Sequence, residues 1–309
     1  MRVGRAAGVT DTGRRRLRNE DTFVCAPPLF AVADGMGGAR AGEIAAGLAA
    51  AALEEADAEA RGPEAIVGLI TEANRRIWER SITDPETTGM GAVVTAALVD
   101  PDGRVAIGHV GDSRAYLLRD GMLEQLTTDH SLVAELVSSG VLTPEEAERH
   151  PQRSAITRAL GTEPSVEVDA FTVDSRPGDV FLLCSDGLST MVADADVASL
   201  IEEAKGDLES AADKLVATAN ARGGVDNVTV VLFELVDSEL PAGEQTQVTV
   251  VPGAPAPATD EIGVGKAVEE PPAALRRHGA GQGGRWAALL VVLCILGLGV
   301  LALYWGINR

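Results

Sequence analysis

Cysteine is scarce in this chain. Its 309 residues hold three, Cys25, Cys184 and Cys294, and no Cys-x-x-Cys pair. That argues against a disulfide framework and fits a reducing compartment for the main domain. Aromatic side chains are also few, at 3%, so Val, Leu, Ile and Ala must fill the core that a 46% hydrophobic composition allows. Basic residues are outnumbered, with 26 Lys and Arg against 46 Asp and Glu, for a formal net charge of −20. Nucleic acid is therefore a poor substrate, because binding to a phosphate backbone rests on clustered Lys and Arg. The same excess of carboxylates favours cations. His109, His130 and His150 lack His-x-x-x-His ligand spacing, and no apolar run of signal-peptide type stands at the N-terminus.

What is present divides into parts. Residues 1–236 alternate strand-like and helix-like segments and are expected to form one domain. Residues 237–285 are rich in Pro, Gly, Ala and acids and nearly devoid of large apolar side chains. Such a segment buries too little surface to offset chain entropy, so a flexible juxtamembrane linker is expected. Residues 286–305, WAALLVVLCILGLGVLALYW, carry no charge over 20 positions. A helix of that length spans about 30 Å, the hydrocarbon thickness of a bilayer. Trp286, Tyr304 and Trp305 stand at its ends, and Arg276, Arg277 and Arg285 precede it. This pattern predicts a single-pass membrane helix, a cytoplasmic main domain and a short extracytoplasmic tail, 306–309.

Within the main domain, Leu29–Asp34 reads as a strand and 41–60 as an Ala-rich helix. The segments 92–99 and 104–110 flank the turn Asp-Pro-Asp-Gly, and 114–127 repeats the pattern around Asp120-Gly121. A strand leads to Asp186, helices are expected over 194–204 and 207–222, and 227–236 reads as a closing strand. Hairpins with helices grouped between them predict an α+β fold on antiparallel sheets.

Four aspartates share one setting. Asp34, Asp112, Asp186 and Asp226 each lie at the junction of an apolar strand and a glycine-bearing turn. If such junctions meet at one end of a sheet, the carboxylates repel. A pair about 4 Å apart costs roughly 4 kcal/mol at an effective dielectric near 20. Hard divalent cations remove that cost, because they take carboxylate, carbonyl and water oxygens. On this reading the turn after Asp34, with Gly35, Gly37 and Gly38, is stripped of side chains so that metal and water can approach. Asp102-Gly103 and Asp120-Gly121 read as ordinary turns, and Cys184 as a buried strand residue.

Five motifs then occur in order: GRRRLRNED (13–21), VADGMGG (32–38), GDSRAYLLRDG (111–121), CSDGL (184–188) and DNVTVV (226–231). Together they resemble the metal-dependent protein phosphatases, the type-2C serine/threonine family, in its bacterial membrane-anchored form. The resemblance covers about residues 5–236, and 143–161 is similar to the flap segment of bacterial members. It implies a four-layer αββα sandwich: two antiparallel β-sheets with helices on both outer faces. It implies two Mn2+ or Mg2+ ions, with a third weaker site. Asp34 would bridge the pair, the Gly35 carbonyl would ligate one ion, Asp186 and Asp226 would hold the second, and Asp112 would serve the third. Arg16 would clamp the substrate phosphate, while Asp21 and Glu20 would hold water around the metals. Met36 stands where eukaryotic relatives often carry a histidine, so no general acid is assigned. Ala92 and Val93 replace hydroxyl-bearing residues of the usual pattern.

The implied activity is hydrolysis of phosphoserine and phosphothreonine in proteins, opposing bacterial Ser/Thr kinases. Phosphorylated proteins, including a membrane kinase, are the expected partners; no nucleic acid is expected, and the enzyme is expected to be a monomer at the cell membrane. The alternatives are a pseudophosphatase that binds phosphoproteins without turnover, a metal-dependent nuclease or phosphodiesterase, and a purely structural anchor. The intact aspartate set speaks against the first and third, and the negative charge against the second.

Overall fold

The computed structural model describes residues 1–37, 40–55, 60–237 and 247–251. The expected membrane span 286–305, the tail 306–309 and most of the expected linker lie outside the described residues. Among those described, no helix is long and apolar enough to cross a membrane.

The chain opens with β1 (Arg2–Asp11), β2 (Asp21–Ala26) and β3 (Leu29–Met36). Helices α1 (Ala41–Glu54) and α2 (Gly62–Thr83) follow, then β4 (Gly91–Val99), β5 (Val105–Val110), β6 (Arg114–Arg119) and β7 (Met122–Gln125). Two short helices, α3 (Leu132–Ser138) and α4 (Pro144–Glu148), precede β8 (Asp169–Val173) and β9 (Val180–Cys184). The domain continues with α5 (Asp186–Ser189), α6 (Asp194–Glu203), α7 (Leu208–Ala221), β10 (Val228–Val236) and β11 (Gln247–Val251). One sheet has the order β11-β1-β10-β9-β6-β7 and the other β2-β3-β4-β5-β8.

Period-two alternation sorts the side chains into three cores. On β3, Ala31 and Ala33 face α1 and α2, while Phe30 and Val32 face the opposite sheet. On β10, Val230 and Leu232 face α6 and α7, while Val231 and Phe233 point between the sheets. The result is the expected layering of helices, sheet, sheet and helices. Small alanines dominate the buried face of α1, so that helix lies close against β3 and β4.

The structure departs from sequence expectation in three places. The helix expected over 41–60 ends at Glu54, and a new one starts at Gly62, whose positive φ of 71° and following Pro63 restart the chain. Residues 247–251, expected as linker, form β11 parallel to β1, with Ala6 opposite Val248 and Val9 opposite Val251. The physical reason is the run Val-Thr-Val-Val, whose β-branched residues favour extended backbone. Asp186, expected to end a strand, is the first residue of α5, one position beyond Ser185.

Candidate metal centre

The inner faces of both sheets are apolar along most of their length and become polar at one end. On β3 the sequence of inward residues runs Phe30, Val32 and then Asp34. On β2 it runs back from Cys25 and Phe23 to Asp21. Asp21 and Asp34 are direct cross-strand partners. The other sheet does the same: Phe181 and Leu183 lead to Ser185, and Phe233 and Val231 lead back to Thr229. Ser185 Oγ donates to Asp21 Oδ2 at 2.8 Å and Thr229 Oγ1 donates to the same oxygen at 2.6 Å. One buried carboxylate thus ties the two sheets together.

Asp186, Asp226 and Asp112 reach this polar end from α5, from the turn before β10 and from the turn after β5. Among the described residues, no three His, Cys, Asp or Glu side chains form a closed ligand set. The aspartates nonetheless lie near enough to act on one another. The Asp34 carboxyl is raised well above its ordinary value, first by burial and then by repulsion from Asp21, Asp186, Asp112 and Asp226. Burial, then Asp112, Asp226 and Asp21, push Asp186 up to about 8. Asp112 rises to about 6 through burial and then Asp129, and Asp21 to about 6 through burial, against the pull of its two hydroxyl donors. Glu20 is raised chiefly by burial, partly offset by Arg16.

The arginine of the first motif is in place. Arg16 Nη2 lies 2.7 Å from Asp226 Oδ2, and this bond, ahead of any other cause, raises the guanidinium pKa. The loop that carries it is pinned by a residue not singled out from sequence. Buried Asn227 donates from Nδ2 to Thr12 O at 2.9 Å and to Arg18 O at 2.8 Å, and its Oδ1 accepts from Glu20 N at 2.8 Å. Ser185, Thr229 and Asn227 were all legible only as inward or junction positions in their strands.

Glycines at the junctions allow main chain to meet main chain. A Cβ on Gly35 would strike the carbonyl of Gly42 in α1, and one on Gly187 would strike the carbonyl of Asn227. This corrects the expectation for Gly35: its missing side chain makes room for α1 and for the Glu20 carbonyl, which accepts the Gly35 N–H at 3.1 Å. Gly37 adopts a φ of +151°, and Gly38 lies outside the described residues.

Two histidines flank the site without joining it. His109 is fully buried, donates from Nε2 to Thr128 O at 3.1 Å, and is held neutral by burial, which lowers its pKa to about 4. His130 Nδ1 accepts the Gly111 N–H at 3.0 Å, and the His130 N–H in turn donates to Gly111 O at 2.6 Å, which fixes the backbone next to Asp112. Arg114 pairs with Asp129 at 2.7 Å, a structural ion pair. Cys184 is buried in β9, and its thiol is pushed up to about 12 by burial. From Asp112 and Asp186 a cleft of about 1010 Å³ runs outward between α3 and the residues after α5.

The residues present fit a bound divalent cation. Every donor is an oxygen, Asp34 and Asp186 are half-buried with mutual repulsion, and among the described residues buried Asp21 Oδ1 has no hydrogen-bond partner.

Comparison with known proteins places this arrangement. The profile of the protein phosphatase 2C family matches residues 14–227. The serine/threonine protein phosphatase PstP of Mycobacterium tuberculosis is 42% identical over 238 residues, which cover 76% of this chain and 46% of that protein. The chain therefore spans less than half the length of that relative. The serine/threonine phosphatase stp of Listeria monocytogenes is 40% identical over 237 residues, covering 73% of this chain and 93% of its own length. The crystal structure of the M. tuberculosis serine/threonine phosphatase PstP superposes with a TM-score of 0.72 at 41% identity, over 76% of this chain and 100% of the other. A structure of the PstP catalytic domain in complex with two manganese ions gives a TM-score of 0.71 at 39% identity, over 77% and 100% of the two chains. With the layered sheets, the five ordered motifs and the shared polar end all in agreement, the chain belongs to the protein phosphatase 2C family.

Proposed function

We propose that this protein hydrolyses phosphoserine and phosphothreonine esters in proteins with the help of Mn2+ or Mg2+. The observation that carries the reading is the meeting of Asp34, Asp186, Asp226, Asp112 and Asp21 at one end of the sandwich, where burial and mutual repulsion raise Asp34 and Asp186 most. Phosphate monoesters are among the slowest compounds to hydrolyse unaided, needing up to about 10^21-fold acceleration, so such concentrated charge has a purpose. When bound, a pair of divalent ions lowers the pKa of water and polarises the phosphoryl oxygens.

The chain's own groups have separable tasks. Asp34, Asp186 and Asp226, with the Gly35 carbonyl, hold the ions, and Asp112 serves a third position. Arg16 presents a planar fork matched to phosphate oxygens. Asp21 Oδ1 and Glu20 accept hydrogen bonds from water beside the ions. No covalent phosphoenzyme is needed, which agrees with the buried, protonated Cys184. Nothing in the site favours a binding module without turnover, because the acidic set is complete.

The same reading extends to residues 286–305 as a membrane helix that keeps the domain on the cytoplasmic side, near a membrane Ser/Thr kinase and its substrates. The 20 uncharged residues and the arginines before them support it. Tethering raises the effective concentration of enzyme near membrane targets. The deciding experiment is hydrolysis of a phosphothreonine peptide with added Mn2+. Turnover that requires the metal and vanishes in Asp34→Asn is the expected result, and metal-independent turnover, or none, would refute the reading.

A further inference from the structure

Of the five residues 14–18, four are arginine, in a chain whose net charge is −20. Arg16 reaches inward to Asp226. The others do not. The side chains of Arg14 and Arg18 are 57% and 54% exposed, and Arg15 is exposed too. Their existing partners are loose: Arg14 lies 3.3 Å from Asp11, and Arg18 lies 4.0 Å from Glu43. Among the described residues the Arg15 side chain has no hydrogen bond or ion pair. Leu17 at the crest is 99% exposed, so the loop is not held out by packing of its own side chains. It is held by its ends. Asn227 takes the carbonyls of Thr12 and Arg18, and the Arg14 N–H donates to Gly224 O at 2.7 Å.

We propose that this loop reads the flanks of the substrate. The guanidinium groups of Arg14, Arg15 and Arg18, arrayed around Arg16, select phosphorylated segments that carry further anionic groups, carboxylate or phosphate, beside the residue to be hydrolysed. The proposal rests on the phosphatase reading of the same site. Arg14 lies on the Asp11 and Gly224 side of Arg16, and Arg18 on the Glu20 and Glu43 side, so a polypeptide whose phosphate meets Arg16 passes positive charge in both directions. Screening makes the local sign decisive. At physiological salt the Debye length is about 8 Å, so a flanking carboxylate senses these arginines rather than the distant acidic surface. A pinned loop also loses little freedom on binding, which leaves more of each arginine's attraction as affinity. An anionic membrane is the rival occupant of exposed arginines around a leucine; the tie of this loop to the acidic site through Arg16 and Asp226 favours a phosphorylated polypeptide.

The test uses the full-length protein and hydrolysis-resistant phosphonate analogues of three peptides: neutral flanks, Asp/Glu flanks, and a second phosphothreonine analogue as the flank. Dissociation constants come from fluorescence anisotropy. The anionic-flank peptides are expected to bind more tightly than the neutral one, with a preference that shrinks as salt is raised. In the Arg15→Ala/Arg18→Ala double variant the ratio of anionic-flank to neutral affinity is expected to fall about threefold to tenfold, the scale of two exposed ion pairs. Equal affinities in the parent protein, or a preference untouched in the variant, would overturn the proposal. So would weaker binding of the variant to phosphatidylserine vesicles with the peptide ratio unchanged, which would assign the arginines to a membrane. Because the ratio is read without turnover, it stands apart from hydrolysis of the cleavable neutral peptide, which tests the underlying activity alone.

Discussion

Asp186, with its pKa near 8, and Asp112 and Asp21, with theirs near 6, hold protons that free aspartates would have lost. The sign of the resulting pH dependence follows. Each folded-state value lies above the unfolded value near 3.8, so the folded protein binds more protons across the interval between them. The stability contributed by these groups is complete below about 3.8 and is lost as pH rises through 6 and then 8. In a thermal melt with chelator present, Tm should therefore fall between pH 5.5 and pH 8.5 by the part due to these groups. Since cations compete with those protons, the increase in Tm on adding Mn2+ should be larger at the higher pH. Equal metal-induced shifts at the two pH values would contradict the assignment. Asp21 has a different task, since two of its neighbours already donate to Oδ2 and only Oδ1 is open. Asp21→Asn should lower Mn2+-dependent kcat/KM by about 10- to 100-fold, the usual scale for groups that orient a metal's surroundings.

At the scale of elements, the junction β9–α5–β10 does most of the positioning. Gly187 abuts the Asn227 carbonyl, so α5 can turn immediately after Ser185 only because position 187 has no side chain. Gly187→Ala should cost about 1–3 kcal/mol in urea unfolding, because the obstructing atoms are main chain and cannot rotate away. This part of the site was half legible in the sequence. Asp34 and Asp186 stood out because each precedes glycine at the end of an apolar run, directly after Ala33 in one case and one serine beyond Cys184 in the other. Ser185, Thr229 and Asn227 did not, since a lone hydroxyl or amide in a strand has no meaning until the strand's inward parity and its cross-sheet neighbour are known. The hairpins β4–β5 and β6–β7 were legible from Asp-Gly turns, and Asp120 and Gly121 indeed adopt positive φ, 52° and 77°. Strand β11 was not, because Pro, Gly and acidic residues on either side of 247–251 outweighed its short Val-Thr-Val-Val run.

At the scale of the domain, few aromatics are used with economy. Phe30 from one sheet stacks on Phe233 from the other, ring centroids 4.1 Å apart, and Phe233 stacks on Phe181 at 5.0 Å. Three of the five phenylalanines in the chain are thus stacked between the sheets, on the same inward faces that end in Asp34, Ser185 and Thr229. Phe233→Ala should destabilise the fold by about 3–5 kcal/mol, measured by chemical denaturation, because no neighbouring side chain can refill the interior. The antiparallel α+β class was foreseeable from the hairpins and grouped helices, and the layering from the family resemblance; which strands neighbour each other was not, because β1 pairs with β10 across more than two hundred residues of sequence.

That long-range pairing has a consequence for how the protein is made. Arg16, Asp21 and Asp34 leave the ribosome early, but β10 inserts between β1 and β9 only after almost the whole described fold has been synthesised. Until it does, Thr229 cannot clasp Asp21 and Asp226 has no place, so the acidic site of an unfinished nascent chain is incomplete. On the proposed phosphatase reading, dephosphorylation would await the insertion of β10 between β1 and β9.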